Sequence, residues 1–404
     1  KPWWLSEQTG GRLWSNVGER LRTDEFLKSF LVMAMGFGAG AAIYWQWRPE
    51  IFGQESPHFG LTGLNGEPTS RTEMVKNFTD MLRRHASLFE RMVFPKAQVG
   101  LLWEPRTIMY EKISKGDRAP GRWLWWENFV GWHRALMGSG HQFDILNARE
   151  VATRGVPPEL RLLIAPMQIF ERKGLSEKLE GWVHAGGVLI AGPWYGMYNE
   201  HTYANRKVPP VEWFGVQQHE LYYIQQPMVE LIGEGLRRLR LLPATHFIEA
   251  LKVTDAEVIG IMGVNLVITR KRFGRGKVVY VGTFVGNRYD YKASPQLGGF
   301  MEWVAQQADV ATLVHASSGC FVRAAKGDGN ILVFLTNPTA EAAIPRLTFL
   351  PDVEGTLIDL LTDETVGKIE GGKSICLPLA AEGSKLLYLE LTGGGDEETK
   401  RRAC

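Results

Sequence analysis

The sequence has few cysteines, no surplus of charge of either sign, and no unbroken apolar run long enough to span a bilayer. Its three cysteines, Cys320, Cys376 and Cys404, are too few and too widely spaced for a disulfide framework or a Cys-x-x-Cys metal site, which points to a reducing, cytoplasmic compartment. Lys and Arg number 46 against 44 Asp and Glu, a formal net charge of +2. They are scattered without single-sign blocks, which argues against a nucleic-acid footprint and an anionic-membrane one. The nine histidines are mostly isolated, and His133 and His141 stand too far apart for one helical turn, so no metal site is visible. Ser29 to Trp47 carries no charged residue and approaches spanning length. Gly36, Gly38 and Gly40 interrupt it, however, and it reads better as a buried helix followed by a buried parallel strand.

What is present describes a globular protein of two or three domains. The chain has 404 residues, 45% of them apolar and 22% charged, enough to bury proper cores. Tryptophan is abundant: Trp3, Trp4, Trp14, Trp45 and Trp47 all fall in the first fifty residues. Such clusters serve cores most often, but sugar-binding clefts use the same flat apolar faces. The first residue is Lys1, and PWWL already reads as a buried strand, so a further region upstream is expected.

Residues 1–94 alternate strand and helix. Pro2 to Ser6 reads as a short strand, and Thr23 caps a helix with Asp24 and Glu25 in its first turn and FLKSFLVMAM as its body. Ala41 to Trp47 is the next strand. After a polar loop, Met74, Phe78, Met81 and Leu82 recur at helical spacing. This β-α-β-α order is the unit of a parallel barrel.

Residues 95–310 contain the short strands QVGLLW, HQFDIL, LRLLIAP, GGVLIAG and GKVVYVGTF, with helices over Trp123 to Met137 and Ser176 to His184. That alternation predicts an open doubly wound α/β sheet, and NLVITRKRFGRGKVVYVG a hairpin turning at Phe273 to Gly276. Residues 311–394 lose the helical period, and CFVRAA, NILVFLTN, GTLIDLL and KLLYLEL predict a small antiparallel β domain. The Gly-rich, charged residues 395–404 read as a disordered tail.

Two loops carry groups suited to chemistry. In WLSEQTGG, Glu7 follows an apolar strand, and in parallel barrels functional groups project from the carboxyl ends of strands. Local sequence alone favours an ordinary solvated glutamate after a strand. In YWQWRPEIFGQESPHFGL, Arg48, Glu50, Glu55 and His58 follow the next strand, whose end would lie beside the first. Arg48 could brace the rim by an ion pair, and His58 could be a hydrogen-bonded loop residue.

Together these residues resemble the glycoside hydrolase family 42 β-galactosidases: WLSEQTGG with Trp14, then the helix, then YWQWR with GQESPHFGL, in that order and spacing. The resemblance implies that Glu7 is the catalytic nucleophile, that Trp14 lines the sugar subsite, and that Glu55 and His58 bind sugar hydroxyls. Arg48 is a candidate to keep the nucleophile ionised. It also implies a fold made of the last two β/α units of a TIM barrel, a flavodoxin-like α/β trimerisation domain and a small β-sandwich. The general acid/base glutamate, and the zinc held by some relatives, would then lie in barrel strands outside this sequence. A retaining glycosidase needs two carboxyl groups about 5 Å apart, and Glu7 supplies one.

The reading that follows is a retaining hydrolase of terminal β-D-galactosides, with no cofactor in the visible part, a homotrimeric assembly, and neither a nucleic-acid nor a membrane partner. This chain alone should be inactive. An enzyme of the same fold acting on α-L-arabinopyranosides or β-D-fucosides, and a non-catalytic carbohydrate-binding or assembly protein, are the alternatives. A catalytic middle domain is disfavoured: no Cys lies between Pro95 and Ala311, and no GxSxG elbow, GxGxxG or Walker loop is present.

Overall fold

The computed structural model describes residues 3–11, 23–115, 124–287, 294–317 and 319–392. The chain forms two compact units, one of Lys96–Ala311 and one that combines Lys1–Pro95 with Thr312–Cys404.

The amino-terminal segment opens with β1 (Trp3–Thr9), α1 (Asp24–Gly36), β2 (Ala39–Trp45), α2 (Ser70–Arg84) and the short α3 (Ala86–Glu90). Helix α1 begins where the sequence predicts: the Thr23 hydroxyl accepts the Phe26 N–H at 3.0 Å, satisfying one of the orphan donors of the first turn. It ends at Gly36, and Gly38 follows at φ +81°, a conformation that glycine adopts without steric cost. Strands β1 and β2 pair in parallel as a two-stranded sheet. Both strands depart from expectation: β1 runs three residues past Ser6 to Thr9, β2 occupies Ala39–Trp45 instead of Ala41 to Trp47, and neither is the buried strand that its apolar residues suggest.

The middle unit is built on a nine-stranded sheet of β3 (Val99–Trp103), β4 (Phe143–Asn147), β5 (Leu162–Ala165), β6 (Val188–Ala191), β8 (Met228–Leu231), β9 (Leu241–Pro243), β11 (Glu257–Met262), β12 (Asn265–Phe273) and β13 (Gly276–Val281). Strands β7 (Val216–Tyr223) and β10 (Phe247–Val253) form a separate antiparallel pair. Spatial order in the large sheet is β4-β3-β5-β6-β13-β12-β11-β8-β9.

Its first five strands are parallel neighbours and the rest antiparallel. The doubly wound prediction therefore describes half of the sheet, and the antiparallel extension beyond the β12–β13 hairpin is an addition to it. Helices α4 (Pro105–Lys115), α5 (Leu124–Ser139), α6 (Ala148–Arg154), α7 (Leu175–His184) and α8 (Pro295–Gln307) complete the unit.

One face of the parallel half packs Leu102, Leu163 and Leu189 against Ala148 and Val151 of α6 and Leu179 and Val183 of α7. On the other face, α5 sets His133 against Phe143, 5.3 Å between ring centroids, and Phe129 against Trp103 at 5.1 Å. Trp125, Phe129 and Trp132 are buried, as expected of a central helix, whereas Trp126 stays 42% exposed. A Cβ on Gly131 would fall 1.9 Å from the Gly286 carbonyl oxygen. Only glycine lets α5 approach the loop after β13 this closely.

The carboxyl-terminal residues form β14 (Val314–Ala316), β15 (Phe321–Gly327), β16 (Asn330–Thr336), β17 (Arg346–Phe349), β18 (Gly355–Asp359), β19 (Glu364–Ile369), β20 (Ser374–Cys376) and β21 (Ser384–Leu391). They make a three-stranded sheet, β14-β17-β20, and a five-stranded one, β15-β16-β21-β18-β19, antiparallel throughout. The five-stranded sheet also covers the amino-terminal helices. Leu31 and Val32 of α1 and Phe78 and Met81 of α2 share a core with Leu332, Phe334 and Leu386. That shared core is why the two ends of the chain make one unit. Residues 395–404 lie outside the described residues.

Candidate active site

The strand irregularity at Glu7 is the first feature of the site. Leu5 stands opposite Ala42 and Gln8 opposite Tyr44, so three steps along β1 face two along β2. The extra residue falls at Ser6–Glu7. Such bulges bend a strand and re-aim its side chains, and they recur beside active sites. Glu7 therefore sits within the strand at a bulge, not after it as the sequence suggests. Its side chain is exposed, whereas the neighbouring Gln8 is buried at 4% exposure.

The loop after β2 folds back onto the end of β1. The Gly10 N–H is shared between the carbonyl oxygens of Phe59, at 2.9 Å, and Trp45, at 3.2 Å. Gln46 donates to the Phe59 carbonyl at 2.9 Å, and Leu61 to the Gln46 carbonyl at 2.8 Å. The two glycines of WLSEQTGG are needed for this contact. A Cβ on Gly10 would lie 2.8 Å from the Phe59 oxygen, and one on Gly11 2.5 Å from the Gly60 oxygen. Gly60 is equally confined, since a Cβ there would lie 2.1 Å from the Pro49 ring. Helix α2 braces the same loop, because Arg71 Nη2 donates to the Gly60 carbonyl at 3.2 Å.

Within this frame the residues singled out by sequence take different places. Glu55 Oε2 accepts the indole N–H of Trp45 at 2.9 Å. His58 donates its backbone N–H to the Glu55 carbonyl at 2.8 Å, and its ring Nδ1 is buried without a partner among the described residues. Arg48 turns to its own loop, with Nε donating to the Leu64 carbonyl at 2.8 Å. No hydrogen bond or ion pair joins Arg48 to Glu7 among the described residues. Trp14 lies outside the described residues. Trp45, which the sequence places in the YWQWR strand motif without a role of its own, is the group that holds Glu55. Its place at the end of β2, ten residues before Glu55, was the available signal.

The arrangement presents an exposed carboxylate at a strand bulge and a half-buried carboxylate held by an indole on an adjoining loop. Exposed tryptophans, Trp4 at 66%, Trp45 at 44% and Trp47 at 63%, supply flat apolar surface on the same two strands and the loop that follows them. Carboxylates with aromatic faces are the groups that recognise and cleave sugars. Among the described residues no helix is long and apolar enough to cross a membrane.

Comparison with known proteins bears on the same residues. A family model described as β-galactosidase matches residues 1–85, and one described as the β-galactosidase trimerisation domain matches residues 97–302. β-Galactosidase BglY of Alicyclobacillus acidocaldarius is 26% identical over 358 residues, covering 85% of this chain and 50% of that protein. β-Galactosidase YesZ of Bacillus licheniformis is 23% identical over 354 residues, with 84% and 49% covered. The solved β-galactosidase from Bacillus circulans sp. alkalophilus superimposes with a TM-score of 0.76 at 20% identity, over 96% of this chain and 55% of that one, a likeness of fold. The chain thus spans about half the length of the curated relatives it matches.

Proposed function

Because the chain belongs to glycoside hydrolase family 42, matched over residues 1–85 and 97–302, we propose that it is part of a retaining exo-glycosidase that removes terminal β-D-galactosyl residues, with Glu7 as nucleophile. The observation that carries this reading is the bulge that turns an exposed Glu7 out of β1, next to a loop fastened to Gly10. In a double displacement the ionised carboxylate attacks the anomeric carbon, while a second carboxyl group protonates the leaving oxygen. That second group would stand on a barrel strand beyond this sequence, and the 404-residue chain alone should turn over no galactoside. Glu55 and His58 would bind sugar hydroxyls, with Trp14 along the ring. Arg48, engaged with Leu64, would act by shaping the loop. The reaction needs no cofactor, and a zinc ion would belong to barrel strands outside the chain. The exact sugar, a galactoside against an arabinopyranoside or fucoside, turns on groups around C6.

In the complete enzyme, Glu7→Gln should fold normally and lose several orders of magnitude in turnover, because it removes an interaction made in the transition state. Azide added to Glu7→Gly should restore product of inverted configuration. Near-parental turnover by the variant removes Glu7 from the mechanism.

Self-association as a homotrimer is the companion proposal, supported by the description of the family model over 97–302 and by the aromatic density of α5. Closed cyclic assemblies repeat one heterologous contact. Light scattering of the complete protein at micromolar concentration should return three times the chain mass. A monomer defeats the proposal, and a dimer keeps assembly but rejects the trimer.

A further inference from the structure

Ligands of open α/β sheets sit outside the carboxyl ends of the strands, at the point where strand order reverses. In the order β4-β3-β5-β6 that point lies between β3 and β5. The residue leaving β3 is Glu104, with 0% exposure, directly ahead of α4. The Arg106 backbone N–H, in the first turn of α4, donates to Glu104 Oε1 at 3.2 Å, and the Arg106 Nε does so at 3.2 Å. From the segment after β5, Arg172 grips the same carboxylate with two bonds, Nε to Oε2 at 3.0 Å and Nη2 to Oε1 at 2.8 Å. Burial pushes the Glu104 carboxyl up, but the hydrogen bonds and the charges of Arg172 and Arg106 together outweigh it and hold the group below the usual carboxylate range.

A helix amino terminus, a bidentate arginine and a second arginine are the groups that hold a bound phosphate or carboxylate. Here they converge on a side chain of the protein itself. We propose that the carboxyl ends of β3 and β5 form an oxyanion site that the chain fills with its own Glu104 carboxylate, and that removing this carboxylate leaves a site for a small external carboxylate. The walls have a tie of their own, since the Thr107 hydroxyl donates to the Met167 carbonyl at 2.7 Å. Vacancy would leave two guanidinium groups, largely buried, without a counter-ion, a situation strongly destabilising for any protein. The inference is independent of the glycosidase reading. It gives a physical reason for a doubly wound domain whose ligand position carries no nucleophile at Met167, Gln168 and Ile169.

The test uses the full chain carrying Glu104→Ala, which removes a fragment close to acetate in size. Thermal unfolding is followed in sodium formate or acetate and in sodium chloride at matched ionic strength. The variant should melt below the parent in chloride and recover by several degrees in the carboxylate salts, with a saturable dependence on concentration. The parent should be indifferent to the choice of salt, and adding Arg172→Met to the variant should abolish the recovery. A response that is absent, linear, equal in the parent, or retained with Arg172→Met overturns the proposal. If Glu104→Ala is isolated unfolded, its refolding yield from urea reads the same equilibrium: a higher yield in formate than in chloride supports the site, and equal yields overturn it.

Discussion

The β1–β2 and β5–β6 pairs are both parallel and both written in short apolar runs, WWL and AAIYW in one, LLIA and VLIA in the other. Every residue of β5 and β6 is buried, whereas four of the seven residues of β1 are exposed. The difference lies in what surrounds the strands. β5 and β6 have neighbours on both sides, with α6 and α7 on one face and α5 on the other; β1 and β2 have only each other in their sheet. An apolar run specifies a strand, but covered faces are what make it a core strand. The exposed face of β1 and β2, with its tryptophans, is the kind of apolar surface that seeks a partner. Further strands of the proposed barrel would supply one.

Large-to-small substitutions give the strongest test of that contrast. Ile164→Ala in β5 should cost about 2–5 kcal/mol, the usual range for an emptied core site, as read from urea midpoints of the 404-residue chain. Ile43→Ala in β2, where the side chain is 48% exposed, should cost under about 1 kcal/mol. Equal losses at the two sites break the comparison.

Next in size is a pH effect confined to the middle unit. Glu249 is fully buried beside Tyr280, whose hydroxyl donates to it at 2.8 Å, and the Trp194 N–H donates at 3.1 Å. Burial pushes its carboxyl up from 4.5 to about 8, against the opposing pull of these two bonds. Below the unfolded value both states are protonated and the fold carries no penalty. As pH rises toward 8 the unfolded chain ionises while the folded one holds its proton, so stability falls, by at most about 1.4 kcal/mol per pH unit. Glu249→Gln should flatten that decline between pH 5 and pH 8, and an unchanged slope assigns the dependence elsewhere.

The smallest expected effects belong to the loop. In the complete enzyme, Glu55→Ala and His58→Ala should each lower kcat/KM by the equivalent of about 1–3 kcal/mol, the cost of unpairing hydrogen-bonding groups that bound sugar would cover. Urea midpoints should scarcely move. Unchanged galactoside kinetics in both variants would make the loop structural.

Much of the scaffold was legible because its signals are local. Thr23 with its acidic first turn marked α1, and the β5 and β6 runs marked short strands. The turn at Phe273 to Gly276 marked the hairpin. Helix α8 went unread despite Ser294 as its cap, with an oxygen accepting the Leu297 N–H, and a proline in its first turn, which are start signals. Strands β7 to β11 went unread as well: VQQHELYY of β7 is half-exposed and carries no apolar run, whereas FIEALKV of β10 and EVIGIM of β11 are short apolar segments whose strand character depends on their antiparallel partners. At the site, the family resemblance, not the local sequence, singled out Glu7, Glu55 and His58. The bulge at Glu7 and the Trp45–Glu55 bond depend on pairing register and loop path, which no local pattern encodes.

The shared core of the first unit has a consequence in time. Helices α1 and α2 leave the ribosome well before the strands that cover Leu31, Val32, Phe78 and Met81, which come from beyond residue 312. Some two hundred residues of the middle unit must be synthesised in between, a wait of roughly 10–40 s at about 5–20 residues per second. The nascent chain therefore carries uncovered greasy helices while a later segment completes its own fold. Of the two units, the one that begins first is finished last, and it is the one for which chaperone protection during translation would matter most.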